Sequence, residues 1–390
     1  MESYSNTRAT GARRIVLFTS EFPPGPGGIG THALELANNL AMSGYTINVL
    51  CEQHYADSEQ IKDFNSKISF PIVSLTFSRR NPIIKLSRRV HKLIELVRSC
   101  KADVVIASGS TSLWSTTLAS FFLNFKMVAI AHGGELTFTS LLSRVLTRFS
   151  FKSARVVICV SQFTRSHLPH SIPQKKINVI NNGANHNLFR QLENKNDLKR
   201  KYGFEDKLVL LTVGSVTERK GQDTVIKALA KCKIEFPNMI YVMAGRSDHF
   251  EAFKELASQS GVSDAVFFRG SVTNTEIVEL YNLADVYILN SRHSSHGDFE
   301  GFGISVIEAA LCGLPSIVSK NSGLEEAIEE GITGLGVMPN NSEETAKAIG
   351  SLFKNEQLRT SLAENAKQRA IMHFTWEKVT RQYIEVLESL

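Results

Sequence analysis

Short apolar runs alternate with segments of helical periodicity through most of the 390-residue chain. The first set consists of a strand-like run at Arg14–Thr19, an amphipathic segment at Thr31–Ser43 and a second apolar run at Ile47–Cys51. A strand, a helix and a strand in this order form a βαβ unit, whose two strands lie parallel in one sheet. The pattern therefore predicts an α/β protein built on parallel sheets.

The apolar runs fall into two series, separated by a turn signal at Asn181–Gly183 and a charged stretch at Glu193–Lys201. The first series continues with Val104–Ala107, Val128–Ala131 and Val156–Val160; the second comprises Leu208–Val213, Ile240–Ala244, Val266–Phe268, Val286–Leu289 and Ser316–Ser319. Because 390 residues exceed one ordinary hydrophobic core, we predict two Rossmann-like domains. The predicted limits are 1–190, 191–372 and a C-terminal helix at 373–390.

Composition and charge narrow the classes of protein. Residues 1–190 hold 22 Lys and Arg against 10 Asp and Glu, a net charge of +12, whereas the whole chain carries +6. A basic half of this kind could attract anionic lipid, an acidic polymer or nucleic acid. The alternative is that the charges only form a solvated surface.

Five scattered cysteines form no C-x-x-C pair, which predicts reduced thiols. No long apolar run and no apolar leader occur, so we expect a cytoplasmic protein.

A glycine-rich loop, Gly25–Gly30, lies between the first predicted strand and helix. Glycines let backbone N–H groups approach a phosphate at a helix N-terminus, so Gly27 and Gly28 are candidate phosphate-binding residues. The spacing also fits the NAD fingerprint, with Glu52 as the ribose-binding acid, but Pro23 and Pro24 separate the glycines from the strand. A loop whose glycines only turn the chain is the other alternative.

A second glycine turn, Glu300–Pro315, carries two glutamates eight positions apart. The pattern places Glu300 on the loop at a helix start, with the N–H groups of Gly303 and Ile304 directed at an anion and Glu308 further along the helix. A sugar diphosphate matches these groups, since phosphate accepts from N–H donors and sugar hydroxyls donate to carboxylates.

A basic loop follows the first strand of the second half, with Arg219 and Lys220 before a helix start. Two cations there would neutralise the charge that develops on a departing diphosphate. Alone, this loop also fits a solvated turn. The glutamate pair in the same half of the chain favours the donor-binding interpretation.

Together the motifs resemble the retaining GT-B glycosyltransferases, in particular family 4 and its bacterial lipopolysaccharide, capsule and phosphatidylinositol mannosyltransferases. The resemblance covers nearly the whole chain. It implies that the two domains face each other across a cleft and that the C-terminal helix returns to the first domain. It rests on Gly27–Gly30, Ala131–Glu135, Val160–Phe163, Asn181–Asn185, Arg219–Gly221, Glu300–Glu308 and Ser322–Glu326.

The resemblance implies roles for individual residues. Glu300 would contact hydroxyls of the donor sugar, Glu308 the ribose, and Arg219 and Lys220 the diphosphate. His132 would lie by the donor sugar and phosphate, and the backbone of Gly27 and Gly28 would complete the phosphate site. Two positions depart from the common pattern: Ser215 stands where relatives often have Arg, and Ser322 replaces a glycine.

The implied activity is retaining transfer of a hexose-type sugar from a UDP- or GDP-sugar to a glycan or lipid-linked acceptor, in cell-surface glycan biosynthesis. The resemblance further implies front-face attack without a metal or other cofactor, and no nucleic-acid partner. His293, His296 and Asp298 are therefore interpreted as loop polarity and not as metal ligands. A sugar-nucleotide epimerase of the same fold, an NAD dehydrogenase and a noncatalytic nucleotide-binding subunit are the alternatives.

The segment Arg79–Lys101 holds eight Lys and Arg, among them Arg88, Arg89 and Lys92, and one carboxylate, Glu95, with apolar residues at near-helical spacing. It predicts an amphipathic helix whose basic side could contact the anionic inner face of a membrane reversibly. The alternative is an ordinary packed helix with a solvated basic face.

Overall fold

The computed structural model describes residues 13–25, 27–54, 56–77, 81–247, 249–294 and 297–390. Over these residues strands and helices alternate. The strands are β1 (Arg14–Thr19), β2 (Thr46–Glu52), β3 (Ile72–Leu75), β4 (Val104–Ser108), β5 (Lys126–Ala131), β6 (Val156–Cys159), β7 (Ile177–Val179), β8 (Leu208–Val213), β9 (Met239–Ala244), β10 (Val266–Gly270), β11 (Val286–Leu289), β12 (Ser316–Ser319) and β13 (Gly334–Val337).

The α-helices described are α1 (Gly28–Met42), α2 (Ser58–Ser66), α3 (Pro82–Cys100), α4 (Ser110–Ala119), α5 (Leu141–Ser153), α6 (Gln162–Ser166), α7 (Lys195–Tyr202), α8 (Gln222–Cys232), α9 (Phe250–Gln259), α10 (Asn274–Leu283), α11 (Ile304–Leu311), α12 (Ser342–Lys354), α13 (Glu356–His373) and α14 (Trp376–Glu388). Short 3-10 helices lie at Gly134–Leu136, Gln174–Lys176, Glu218–Lys220, Ser263–Ala265 and Gly323–Glu326. No helix of the described residues has the length and apolarity needed to cross a bilayer.

The chain divides into two compact units. Unit 1 comprises the described residues up to Cys159 with Leu168–Asn178 and Thr380–Leu390, and unit 2 comprises Val160–His167 with Val179–Val379. The predicted limits 1–190, 191–372 and 373–390 concern domains that fold independently, and they stay a prediction. Helix α14 begins in unit 2 and ends in unit 1.

Unit 1 is built on a parallel sheet with the strand order β3-β2-β1-β4-β5-β6-β7. In register, Ile15 of β1 lies between Ile47 of β2 and Val104 of β4, and all three side chains are buried. Because β2 and β4 flank β1 on opposite sides, the strand order reverses at the β1–β4 pair. In open parallel sheets, ligands bind beyond the carboxyl ends of the strands at such a point. The loops after β1 and β4 are therefore placed to form a site.

Unit 2 repeats this arrangement with the order β10-β9-β8-β11-β12-β13. Its reversal lies at the β8–β11 pair, where Val286 is in register with Leu210. The loops that leave the carboxyl ends of β8 and β11 contain the basic loop and the Glu300 turn. The topology thus brings two motifs together that are about 80 positions apart in the sequence.

The fold class predicted from the sequence is confirmed: both sheets are parallel and Rossmann-like. Strands at Arg14–Thr19, Leu208–Val213, Val286–Leu289 and Ser316–Ser319 have the predicted bounds. The interpretation missed β3, β7 and β13, which are edge strands of three or four residues. An edge strand is half-buried and short, so it lacks the continuous apolar run by which a central parallel strand is recognised.

Helix α3 is a packed helix on one side of unit 1. Leu93 and Val97 are buried in the core, and Arg89, which the sequence interpretation placed on the basic surface, is also buried. Its Nε and Nη2 donate to the two carboxylate oxygens of Glu52 at 2.6 and 2.9 Å. Assigning Arg89 to the surface was wrong because its guanidinium balances a buried carboxylate. Arg79 and Arg80 lie outside the described residues.

Candidate active site

The basic loop of unit 2 leaves β8 and forms a 3-10 turn at Glu218–Lys220 before α8 begins. Gly221 ends this turn with φ of 69°, and a Cβ there would collide with the carbonyl oxygen of Asn290. The Arg292 N–H donates to the carbonyl oxygen of Arg219 at 2.8 Å. The loop after β8 is therefore held directly against the loop after β11.

Glu300 meets both cations of the basic loop. Its Oε2 accepts from Arg219 Nη1 and lies 2.8 Å from Lys220 Nζ, while Ser291 Oγ is 3.5 Å away. The Lys220 side chain is 11% exposed and the Glu300 side chain 13%, so water screens this ion pair only weakly. Two cations and one carboxylate form a cluster with an excess of one positive charge.

The charges of this cluster decide its protonation states. Burial acts to raise the pKa of Glu300, but Lys220 and Arg219 outweigh it and lower that pKa to about 2. Burial lowers the pKa of Lys220, and Glu300 opposes this effect. The carboxylate therefore stays ionised at neutral pH, with two donors fixed on it.

Helix α11 starts directly beyond Glu300. Gly303 is its N-cap with φ of 85°, and a Cβ at that position would collide with Leu324. Gly323 is packed against the backbone of Gly301, and its N–H donates to the Glu300 carbonyl oxygen at 3.0 Å. These close backbone approaches fix the turn from which the N–H groups at the start of α11, including that of Ile304, extend.

Glu308 lies one helical turn further along α11, partly exposed. Its Oε2 accepts a hydrogen bond of 2.8 Å from the Tyr281 hydroxyl, and Tyr287 donates to Ser305 Oγ at 2.7 Å on the same helix. The negative charge of Glu308 also acts to raise the pKa of Lys220. Unit 2 thus gathers all the predicted residues of this half, and it adds Tyr281, which no sequence motif indicated.

A cavity of about 370 Å³ opens beside the basic loop, lined by Glu218, Asp223, Thr224, Lys227, Arg292, Asn340 and Ser342. Arg292 Nη1 donates to both carboxylate oxygens of Asp223 at 2.9 and 3.0 Å and to Asn340 Oδ1 at 2.6 Å. Arg292 was missed by sequence reasoning, since an arginine after a strand carries no motif of its own.

In unit 1, His132 follows β5 and its Nε2 lies 2.9 Å from Ser108 Oγ at the end of β4. The N–H groups of His132 and Gly133 donate to Glu135 Oε2 at 3.0 and 3.1 Å, so this carboxylate shapes the turn. Burial lowers the pKa of His132 to about 4, and burial raises that of Glu135 to about 7 despite these hydrogen bonds. His132 is therefore a neutral imidazole at physiological pH.

The glycine loop of unit 1 leads into α1, which begins at Gly28. A Cβ on Gly27 would collide with the Glu21 carboxylate, and Glu21 accepts from the Gly30 N–H. Burial raises the pKa of Glu21, and His54 and this hydrogen bond oppose the rise. A side-chain acid thus already occupies the start of the helix, a feature that the glycine pattern did not indicate.

The loop after β11 contains His293, His296 and Asp298, which the sequence analysis interpreted as loop polarity and not as metal ligands. His293 lies against the Phe163 ring, with ring centroids 6.1 Å apart. Within the described ranges no three His, Cys, Asp or Glu side chains form a group able to hold a metal ion. His296 lies outside the described residues, so the metal-free interpretation stays a prediction.

Models of known protein families match both halves of the chain. The model of glycosyl transferases group 1 matches residues 194–369, and that of glycosyltransferase family 4 matches residues 26–188. The chain is similar to an uncharacterised glycosyltransferase of Methanocaldococcus jannaschii, with 25% identity over 97% of this chain and 98% of the relative.

Two further similarities cover nearly the full length. A GDP-mannose-dependent alpha-(1-6)-phosphatidylinositol monomannoside mannosyltransferase of Mycobacterium tuberculosis is 23% identical over 96% of this chain and 98% of its own. The structure of Anabaena HepE in complex with UDP and glucose superposes with a TM-score of 0.83 at 23% identity, covering 97% of this chain and 100% of that one. With two parallel Rossmann-like sheets and a family model matched in each half of the sequence, the chain belongs to the family 4-like glycosyltransferases of the GT-B fold.

Proposed function

We propose that this glycosyltransferase is a retaining, metal-independent enzyme that transfers a hexose from a UDP- or GDP-sugar to a glycan or lipid-linked acceptor. The observation that carries the proposal is the buried cluster of Arg219, Lys220 and Glu300 beside the start of α11. Its net positive charge and the adjacent helix N–H groups suit a diphosphate, whose own negative charge would be compensated there.

Donor binding would redistribute the partners of this cluster. Arg219 and Lys220 now share one carboxylate, and a diphosphate would compete for them as a stronger acceptor. Glu300, released in part from its cations, would accept from sugar hydroxyls. Glu308, on the same helix and held by Tyr281, would accept from the ribose. Cations and helix N–H groups would stabilise the leaving diphosphate in place of a metal.

The donor class is also supported by the relatives. Anabaena HepE was also solved with UDP-glucose, and the mycobacterial relative is named as dependent on GDP-mannose. Both compounds are nucleoside diphosphate sugars of a hexose.

The test is product analysis by mass spectrometry, with anomeric and epimeric configuration read by NMR, after incubation with a panel of UDP- and GDP-sugars and a lipid extract. We expect a mass increase of one hexose on an acceptor, in the presence of EDTA, with the anomeric configuration of the donor retained. Release of free UDP with an epimerised sugar and no acceptor product would instead establish the epimerase alternative. An inverted product, or activity restored only by added Mn²⁺, would contradict retention or metal independence respectively.

We further propose that the enzyme associates peripherally with anionic membranes through unit 1. Arg88 and Arg98 of α3 are exposed cations, while Lys92 is paired with Glu95 at 2.7 Å. Each cation near an anionic surface contributes up to about 1 kcal/mol, and salt screens the attraction. Co-sedimentation with anionic vesicles that weakens as the salt concentration rises is the expected result. Equal binding to neutral and anionic vesicles would contradict it.

A further inference from the structure

Helix α5 presents four large apolar side chains outward. Thr147, Ser150 and Phe151 are buried on its inner side. The outer side carries Leu141 (74% exposed), Leu142 (67%), Val145 (55%) and Phe149 (47%). An ordinary surface helix buries its leucines against the core, whereas α5 exposes Leu141 and Leu142 and buries Thr147 and Ser150 beside Phe151.

The orientation of α5 is held by a specific contact. Trp114 Nε1 on α4 donates to Thr147 Oγ1 at 3.0 Å, and Thr147 is 3% exposed. Turning α5 to bury its leucines would break this bond and remove the acceptor of the partly buried indole N–H. The contact therefore favours the orientation in which the leucines are exposed.

Two aromatic residues extend the exposed surface past the end of α4. Phe121 and Phe122 are 65% and 67% exposed. The Phe121 ring stacks on Phe149 with centroids 6.2 Å apart and an interplanar angle of 19°. We call the six residues Leu141, Leu142, Val145, Phe149, Phe121 and Phe122 the α5 face. Contiguous exposed apolar surface of this kind marks a binding site on a soluble protein.

The charges around the α5 face are of one sign. Arg144, Arg148 and Lys152 recur every fourth residue along α5, next to the apolar row, and all three are exposed. From Val104 to Cys159 the chain has a single carboxylate, Glu135, and it is buried. The face is thus apolar with a cationic border and no exposed acid in that segment.

We infer that the α5 face inserts into the surface of an anionic lipid bilayer. Leucine and phenylalanine side chains enter the acyl boundary, while arginine and lysine beside them reach phosphate groups. A second copy of this chain fits less well, because a twofold dimer would place the cationic borders against each other. The inference rests on the proposed membrane contact and specifies where the apolar part of that contact lies. It is independent of the transfer reaction.

The first experiment measures partitioning of the full chain onto vesicles of phosphatidylcholine with about one third phosphatidylglycerol. The double variant Leu141→Gln with Leu142→Gln should lower the partition coefficient at least about tenfold, equivalent to about 1.4 kcal/mol. The matched control is Ile234→Gln, since Ile234 is 89% exposed in unit 2. This control should bind as the wild type does. Because both leucines are exposed, circular dichroism should show that the double variant stays folded.

A second experiment distinguishes insertion from attraction of charges. In Leu142→Trp, the added indole should be quenched by lipids brominated on their acyl chains, whereas the indole of Ile234→Trp should not. Native Trp376 is 2% exposed and should change little, and the quenching of the partly buried Trp114 is measured in the wild type and subtracted.

Three other outcomes would overturn the inference, and each points to a different explanation. Binding to anionic vesicles that the leucine substitutions leave unchanged would keep the membrane contact and refute insertion at α5. If the wild type did not bind vesicles at all, both the membrane contact and the insertion at α5 would be refuted. A wild-type dimer in analytical ultracentrifugation that dissociates in the double variant would assign the face to a second copy. Sugar transfer to a soluble acceptor, measured without vesicles, tests the enzymatic proposal separately.

Discussion

Replacing Glu300 by glutamine tests whether the buried cluster organises the candidate active site. The substitution keeps the size of the side chain and removes the charge that Lys220 and Arg219 share. Lys220 would then be a nearly buried ammonium next to the Arg219 guanidinium. It would have lost its contact with the Glu300 carboxylate. Removing one partner of a buried ion pair costs about 3–5 kcal/mol, because the other charge remains desolvated.

The pKa of Glu300 leads to a similar magnitude. Its displacement from 4.5 to about 2 corresponds to about 3 kcal/mol of preference for the ionised carboxylate in the folded protein. Since this folded-state pKa is lowered, the stabilisation is present above pH 4.5 and is lost as the pH falls through 2. We therefore expect Glu300→Gln to lower the free energy of unfolding of unit 2 by about 3 kcal/mol at pH 7.

The assay is urea unfolding followed by the fluorescence of Trp376, which is buried in unit 2, in a Trp114→Phe background. The matched control is Glu235→Gln, which breaks an ion pair of 2.8 Å with Lys354 where both side chains are more than half exposed. That control should cost at most about 1 kcal/mol. An equal decrease in the free energy of unfolding for the two variants would refute this prediction. Burial would then add nothing to the stabilisation by the Glu300 ion pair.

The remaining predictions concern activity. Glu308→Ala and Lys220→Ala should each lower turnover at least about tenfold, roughly 1.4 kcal/mol; near-normal kinetics in both, at limiting and saturating donor, would contradict the donor assignment. Tyr281→Phe, which removes the 2.8 Å hydrogen bond to Glu308, should raise the KM for the donor about threefold to tenfold, and an unchanged KM would exclude a positioning role. Because burial lowers the pKa of His132 to about 4, kcat/KM should not decline until the pH falls well below 6; an acid limb near pH 6.5 that His132→Gln removes would contradict a neutral His132.

Local sequence was sufficient to identify most central strands and the class of the fold. Central parallel strands such as β8 and β11 are buried on both faces, so they appear as continuous apolar runs with nearly the observed bounds. Glycines at Gly221 and Gly303 signalled turns because their backbone has positive φ, which few other residues adopt. The edge strands β3, β7 and β13 remained hidden, since three or four half-buried residues carry too weak a pattern.

Only the tertiary structure decided which charges meet. Glu52 and Arg89 are 37 positions apart, and Arg219 and Glu300 are 81 apart, so no spacing rule links either pair. Whether Arg89 faces water or the core depends on a partner that the sheet brings beside it. The outward leucines of α5 are a second case: the side of the helix that faces the core carries Thr147, whose partner Trp114 is 33 positions away on another helix. Periodicity is local and can be read along the chain, whereas pairing depends on which elements the fold makes neighbours.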